Sequence, residues 1–223
     1  MFRRSSILAG LLVACCSLLF AQEKPAAKAE PAKEVKWEPL FDGKSLAGWK
    51  STEFGGEGEV TVKDGQIVLE MGQPMTGVTI KDGSKLPKDN YEITLQAMKR
   101  KGDDFFCALT FPIRDAHASF VVGGWGGSVV GLSSIDGQDA SENETTDYVT
   151  LEKNKWYTVR VRVAGGKVQC WLNDKQQVDV ELKDKRISTR IEVDISKPLG
   201  ICCYNTEAAV KDFKLRKLEA GKE

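Results

Sequence analysis

The chain has 223 residues, 41% of them hydrophobic and 29% charged, which is enough for one ordinary core or one large all-β domain and cramped for two. Its formal charge at pH 7 is zero, so composition implies no basic surface and argues against a nucleic-acid partner. A single histidine, His117, excludes a His-rich metal site.

Arg3 and Arg4 precede the apolar run "ILAGLLVACCSLLFA", and residues 1–21 together read as a signal peptide that sends the mature protein to a secreted or periplasmic location. The run is too short for a membrane span, which needs about 20 apolar residues. Leu12-Val13-Ala14-Cys15 resembles a bacterial lipobox, so a membrane-anchored lipoprotein lipidated at Cys15 is the alternative. Residues 22–36 alternate Ala, Lys, Glu and Pro and read as a flexible linker. Removing residues 1–21 takes away two arginines and no acid, which leaves the mature surface faintly acidic.

Residues 37–218 form the expected domain, with 219–223 as a tail. It opens on "WEPLFDGKSLAGWK", where Phe41 ends an edge strand, Asp42-Gly43 turns the chain, and Leu46 and Trp49 fold the loop back. Trp49 reads as a core plug, with a sugar platform as the alternative. A two-residue alternation then runs through "GQIVLEM", "YEITLQAMK", "FFCALTF" and "ASFVVG". It is clearest in "WYTVRVRVAGGKVQCWLNDKQQVDVEL", where Val159, Val161 and Val163 share one face and Gly165-Gly166 makes a hairpin turn. "TRIEVDI", "LGICCYN" and "VKDFKLRKL" read as the last strands. No stretch carries an amphipathic helical stripe, so the expected fold is an all-β, two-sheet jelly-roll sandwich. Cys107, Cys170, Cys202 and Cys203 lie in apolar runs and read as buried small hydrophobes, a disulfide being the alternative.

Two polar segments interrupt the pattern. Between residues 103 and 117 lie Asp103, Asp104, Arg114, Asp115 and His117, near strand ends expected to border one groove. Asp104 and His117 are candidate general bases and Arg114 a candidate anion stabiliser. The second segment, "GGWGGSVVGLSSIDGQDASENETTDY", sets glycines around Trp125 and then a run of carboxylates on a loop too long for a hairpin turn. The glycines let the backbone approach a ligand while the indole offers a flat face to a sugar, with a lid over the sandwich edge as the alternative. Asp136 and Asp139 are the candidate calcium ligands and Glu142 and Asn143 candidate sugar-binding residues. Calcium is the only cofactor this pattern invites.

"WEPLFDGKSLAGWK", "VKDGQIVLE", "YEITLQAMKR" and "PLGICCYNTEAAVKDFKLRKL", in that order, resemble the 3-keto-disaccharide hydrolase domain family, over essentially residues 37–218. The resemblance implies a concanavalin A-like lectin/glucanase jelly roll with a sugar groove on its concave sheet. The chain departs from the family where its chemistry is expected: the positions matching a usual glutamate and arginine are Gln96 and Met98, which leaves Gln96 as a candidate substrate contact. A ketone at C3 of a sugar acidifies the C2 hydrogen, so the glycosidic bond leaves by elimination and water adds afterwards. That chemistry requires one base and one positive group rather than the paired carboxylates of ordinary glycosidases.

Three function classes follow: an exported hydrolase or lyase acting on 3-keto-glycosides, a non-catalytic carbohydrate-binding module, and a structural domain. An arginine in a carboxylate-bearing groove distinguishes the first. A shallow groove lined by aromatics and amides distinguishes the second.

Overall fold

The computed structural model describes residues 36–219, so the expected signal peptide, Cys15 and nearly all of the linker lie outside the described residues, as do residues 220–223. The strands run β1 (Glu38–Pro39), β2 (Trp49–Ser51), β3 (Val60–Lys63), β4 (Gln66–Leu69), β5 (Met75–Ile80), β6 (Tyr91–Gly102), β7 (Cys107–Ile113) and β8 (Ala116–Gly123). After a tight turn come β9 (Val129–Ser133), β10 (Asp147–Tyr148), β11 (Trp156–Ala164), β12 (Lys167–Leu172) and β13 (Lys175–Glu181). β14 (Gly200–Tyr204) and β15 (Thr206–Lys217) close the fold.

All strand pairs are antiparallel, in two sheets. The larger has the order β13-β12-β11-β6-β15-β4-β3, with β1 also on β15; the smaller has the order β10-β9-β8-β7-β14-β5-β2. The alternation places Ile93, Leu95 and Ala97 of β6 and Val159, Val161 and Val163 of β11 in the core, facing Leu109 and Phe111 of β7 and Phe120 and Val122 of β8. Among the described residues no helix is long and apolar enough to cross a membrane.

Trp49 is 2% exposed, its indole N–H donates to the Leu40 carbonyl at 2.7 Å, and its ring meets Phe213 at 5.1 Å. It is a core plug. Asp42 organises the preceding loop by accepting the Lys44 and Ser45 backbone N–H groups at 2.8 and 2.9 Å. Cys107, Cys170, Cys202 and Cys203 are free and buried rather than paired.

Two local expectations are corrected. "TRIEVDI" is not a strand: Ile191–Ser196 is a 3-10 helix in which Val193 and Ser196 are buried while Ile191 is 85% exposed. Burial at every third residue is the 3-10 repeat, and the sequence imitates a strand because isoleucine and valine alternate with acids there. The second polar segment also contains β9, so its loop proper spans 134–146.

Trp49→Ala should cost about 3–5 kcal/mol, lost ring burial plus cavity, measured by guanidinium unfolding. Burial pushes the Cys203 thiol up to about 12 and the other three well above their ordinary value. A disulfide-exchange reagent at pH 8 should therefore label none of the four before the domain unfolds.

Candidate functional site

The smaller sheet is buried on both faces, and its outer face mixes apolar and hydroxyl side chains. Residues alternate with those in the core to place Met75, Ala108, Val121 and Cys202 in a second cluster on its outer face, joined by Val129, Val193, Phe105 and Tyr204. Register aligns Gly77, Cys202, Ala108, Val121 and Gly131 into one crosswise row of small side chains, with Thr110, Ser119 and Ser133 in the next. Short side chains leave room above the sheet, and the 3-10 helix crosses it there. A Cβ on Gly200 would stand 2.6 Å from the Ser196 carbonyl oxygen, so glycine is needed for this close approach.

What stays open is a cleft of about 280 Å³ floored by Met75, Ala108, Ser119 and Val121. One wall is Asp104, Phe105 and Trp125; the other is Arg190, Glu192 and Val193, with Tyr204 and Ser133 completing it. Phe105 and Tyr204 pack as a tilted aromatic pair at 5.6 Å.

Asp104 and Trp125 meet because they flank the open end of the β7–β8 hairpin. Asp104 accepts the Phe105 N–H at 2.7 Å through one carboxylate oxygen and the Gly126 N–H at 3.2 Å through the other, which ties the two segments together. Gly127 has φ +100, and a Cβ there would stand 2.7 Å from the Asp103 carbonyl oxygen, so the turn docks only as glycine. Trp125 itself takes φ 49 and is 42% exposed, an indole projected outward rather than packed as a lid.

Arg190 is the cation of the cleft. Its guanidinium bonds Asp139, reaches Glu192 at 2.8 Å, and lies 6.0 Å from the Trp125 ring centroid. The Glu192 hydrogen bond and the Asp139 charge hold Arg190 above its ordinary pKa, and the same contact holds Glu192 below its own. Asp139 in turn accepts Ser133 and Ser134 hydroxyls at 3.1 and 2.9 Å.

The remaining candidates stand elsewhere. Arg114 occupies the turn of the β7–β8 hairpin, one strand length or roughly 20 Å from Asp104, in a separate depression with Asp115 and Lys185. The expectation that residues 103–117 border one groove is thereby corrected, since an antiparallel hairpin separates its turn from its open end. His117 lies just past that turn, opposite Pro112. Gln96 is on the outer face of the larger sheet, because its neighbours Leu95 and Ala97 face the core. Asn143 is 8% exposed and uses its amide on Leu132 and Gln138 carbonyls and on Thr145, which makes it an organiser of the loop. Glu142 is exposed on that loop, away from the cleft.

Asp136 and Asp139 are engaged by different partners. Asp136 accepts the Arg186 N–H at 2.8 Å while Asp139 is committed to Arg190, and among the described residues no three His, Cys, Asp or Glu side chains gather as metal ligands. Sequence reasoning missed Arg190, hidden in the false strand, and Lys99. Lys99 stands at an inward position of β6 with 4% exposure, and burial lowers its pKa while Asp103 and Asp104 oppose that shift. The signal for Lys99 was a lysine at an inward position of "ITLQAMK".

The model of the 3-keto-alpha-glucoside-1,2-lyase-like domain matches residues 36–216. The chain belongs to this family. Similar solved structures include a protein of Parabacteroides distasonis ATCC 8503 provisionally assigned to the glycosyl hydrolases, at 14% identity and TM-score 0.52 over 82% of this chain and 94% of that one. The carbohydrate recognition domain of Emp47p matches at 13% identity and TM-score 0.53, over 86% and 100% respectively. The apo Crh5 transglycosylase matches at 10% and 0.54, over 82% and 84%. At these identities the likeness establishes the fold, a concanavalin A-like jelly roll. No curated protein matches the sequence. Membership makes this 3-keto-alpha-glucoside-1,2-lyase-like chain a carbohydrate-related domain.

Burial first, then the nearby Lys197 and Lys88 charges, lower the His117 pKa, against the pull of Asp194. Unfolding therefore takes up a proton as pH falls below the ordinary histidine value of 6.5, so stability drops with acidification. His117→Gln should flatten this part of the melting-temperature profile between pH 7 and 5, measured against the parent by scanning fluorimetry.

Proposed function

We propose that this domain cleaves the glycosidic bond of a 3-keto-glycoside by elimination, in the cleft between Trp125 and Arg190. The observation that carries this reading is a carboxylate, Asp104, and a guanidinium, Arg190, lining one aromatic-walled cleft. The sugar stacks on the Trp125 face. Asp104, held in place by two backbone N–H groups, takes the C2 proton, and its electrons form the enolate whose oxygen rests against Arg190. The C1–oxygen bond then breaks, and the proton on Asp104 passes to the leaving oxygen. Water adds afterwards across the C1–C2 double bond of the keto-glycal. Asp139 and Glu192 keep Arg190 charged and aimed. Export through residues 1–21, to a secreted or periplasmic location, belongs to the same proposal, and cell fractionation with detection of the mature N-terminus tests it.

A second reading, a carbohydrate-binding module without catalysis, is favoured by one observation: both neighbours that hold Arg190 are carboxylates, which offset the charge an enolate would use.

The deciding measurement is product release from a panel of 3-keto and unoxidised disaccharides, beside binding of each. Asp104→Asn should lower kcat by about 10²- to 10⁴-fold with the fold intact, while His117→Gln keeps full turnover. Binding of sugars with no turnover on any 3-keto substrate selects the module reading instead.

A further inference from the structure

The outer face of the larger sheet carries a charge asymmetry that the neutral composition conceals. On β11, β6 and β15 the residues between core positions put Arg160, Arg162, Lys211, Lys214 and Arg216 on this face, around the buried carboxylate Glu92, with Asp212 exposed at the β15 bulge. Farther out the charges balance, Lys167 with Asp179 and Glu181, and Arg100 and Lys101 with Glu207.

Glu92 is 2% exposed, so its charge requires partners. Arg216 supplies an Nε–H bond at 2.6 Å and a second contact from its other nitrogen, and Arg160 approaches at 3.7 Å. Arg162 stands beside Glu92 in register, yet its Nε is buried with no hydrogen-bond partner. Two guanidinium groups thus share one carboxylate while Arg162 stands beside them, and the cluster keeps a positive excess. The aromatic rings of the face are arranged with these cations: the Arg160 guanidinium lies 3.8 Å from the Trp171 ring centroid, and the Lys211 ammonium 4.2 Å from that of Trp156. A stacked guanidinium keeps its N–H edge available for a planar anion.

From this we infer that the outer face of the larger sheet binds an acidic polysaccharide, one bearing carboxylate or sulfate groups on pyranose rings. The cations recognise the acid groups and the rims of Trp171 and Trp156 meet the sugar rings. Charge complementarity selects this occupant. A second copy of the chain would set the same cations against one another, which disfavours a symmetric dimer through this face. The residues of this face line neither the Trp125–Arg190 cleft nor the Arg114 depression, and a broad sheet face suits an extended polymer rather than a small sugar. The site is independent of the Trp125–Arg190 cleft, because it lies on the other sheet and faces away from it.

The test is titration of the purified protein with polygalacturonate, a sulfated galactan, neutral dextran and a single-stranded DNA oligonucleotide, at low and at moderate salt, followed by calorimetry. The inference expects binding to the two acidic polysaccharides, none to dextran, and weakening with salt. Arg162→Gln combined with Lys214→Gln should bind about tenfold more weakly at an unchanged melting temperature. Should that variant fail to fold, Lys211→Gln with Lys214→Gln, which leaves Glu92 and its arginines intact, replaces it with the same expectation. Trp125→Ala should bind the acidic polysaccharides as the parent does. Absence of binding to both at low salt overturns the inference, as does DNA binding of equal strength, loss of binding in Trp125→Ala, or a dimer by sedimentation that occupies this face. Because none of these readouts uses turnover, failure of the cleft's proposed chemistry leaves the inference standing.

Discussion

The smaller sheet must be covered on both sides, and the site exists because of how that constraint is met. Its inner face packs against the larger sheet, while Met75, Ala108, Val121 and Cys202 form an apolar patch on the outer face as well. Water-facing exposure of so much apolar surface is unfavourable, roughly 25 cal/mol per Å². The chain answers with two overlays rather than one, the Ile191–Ser196 helix on one side and the Gly124–Gly127 turn on the other. Between them a strip of floor stays open. The Asp139–Arg190 pair joins the loop after β9 to the first overlay, so loop, helix and cleft wall stand or fall as one unit.

Polar groups in the cleft are held by backbone rather than by one another. Asp104 is fixed by N–H groups of its own segment and of the glycine turn, and the docking of that turn depends on Gly127. A carboxylate fixed this way loses little entropy when it meets a ligand, which is what a positioned base or a sugar contact requires. Arg190 is restrained differently, by two carboxylates, and those partners decide how much of its charge remains available.

Electrostatics are segregated between the two sheets. The cleft combines one cation with several acids, while the opposite face gathers arginines and lysines around buried Glu92. A formal charge of zero is the sum over both faces and says nothing of either. The reading that no basic surface is present holds for the total and fails for the larger sheet, since alternation along β6, β11 and β15 sends charged residues outward on one side only.

Much of the fold is legible in the chain because the determining rule is local: side chains alternate along a strand, so "YTVRVRV" declares a buried face without reference to any partner, while the continuous apolar run "FFCALTF" marks a strand buried on both faces. Trp49 as a core plug, the antiparallel hairpin at Gly165-Gly166 and the family resemblance follow from short stretches read in order. The same locality misled at "TRIEVDI", where alternating letters hid a 3-10 repeat imposed by packing on the sheet beneath. It misleads again at residues 103–117, where nearness in sequence does not give nearness in space because the hairpin holds its turn a strand length from its open end. By itself the sequence determined the all-β class, the core, and that Asp104 and Trp125 stand on polar segments interrupting the strands. Only the tertiary structure decided that Arg190 joins them, that Arg114, His117 and Gln96 do not, and that Asp139 pairs with the Arg190 guanidinium. Those outcomes depend on which distant segments cross the same sheet face, and no local periodicity encodes that.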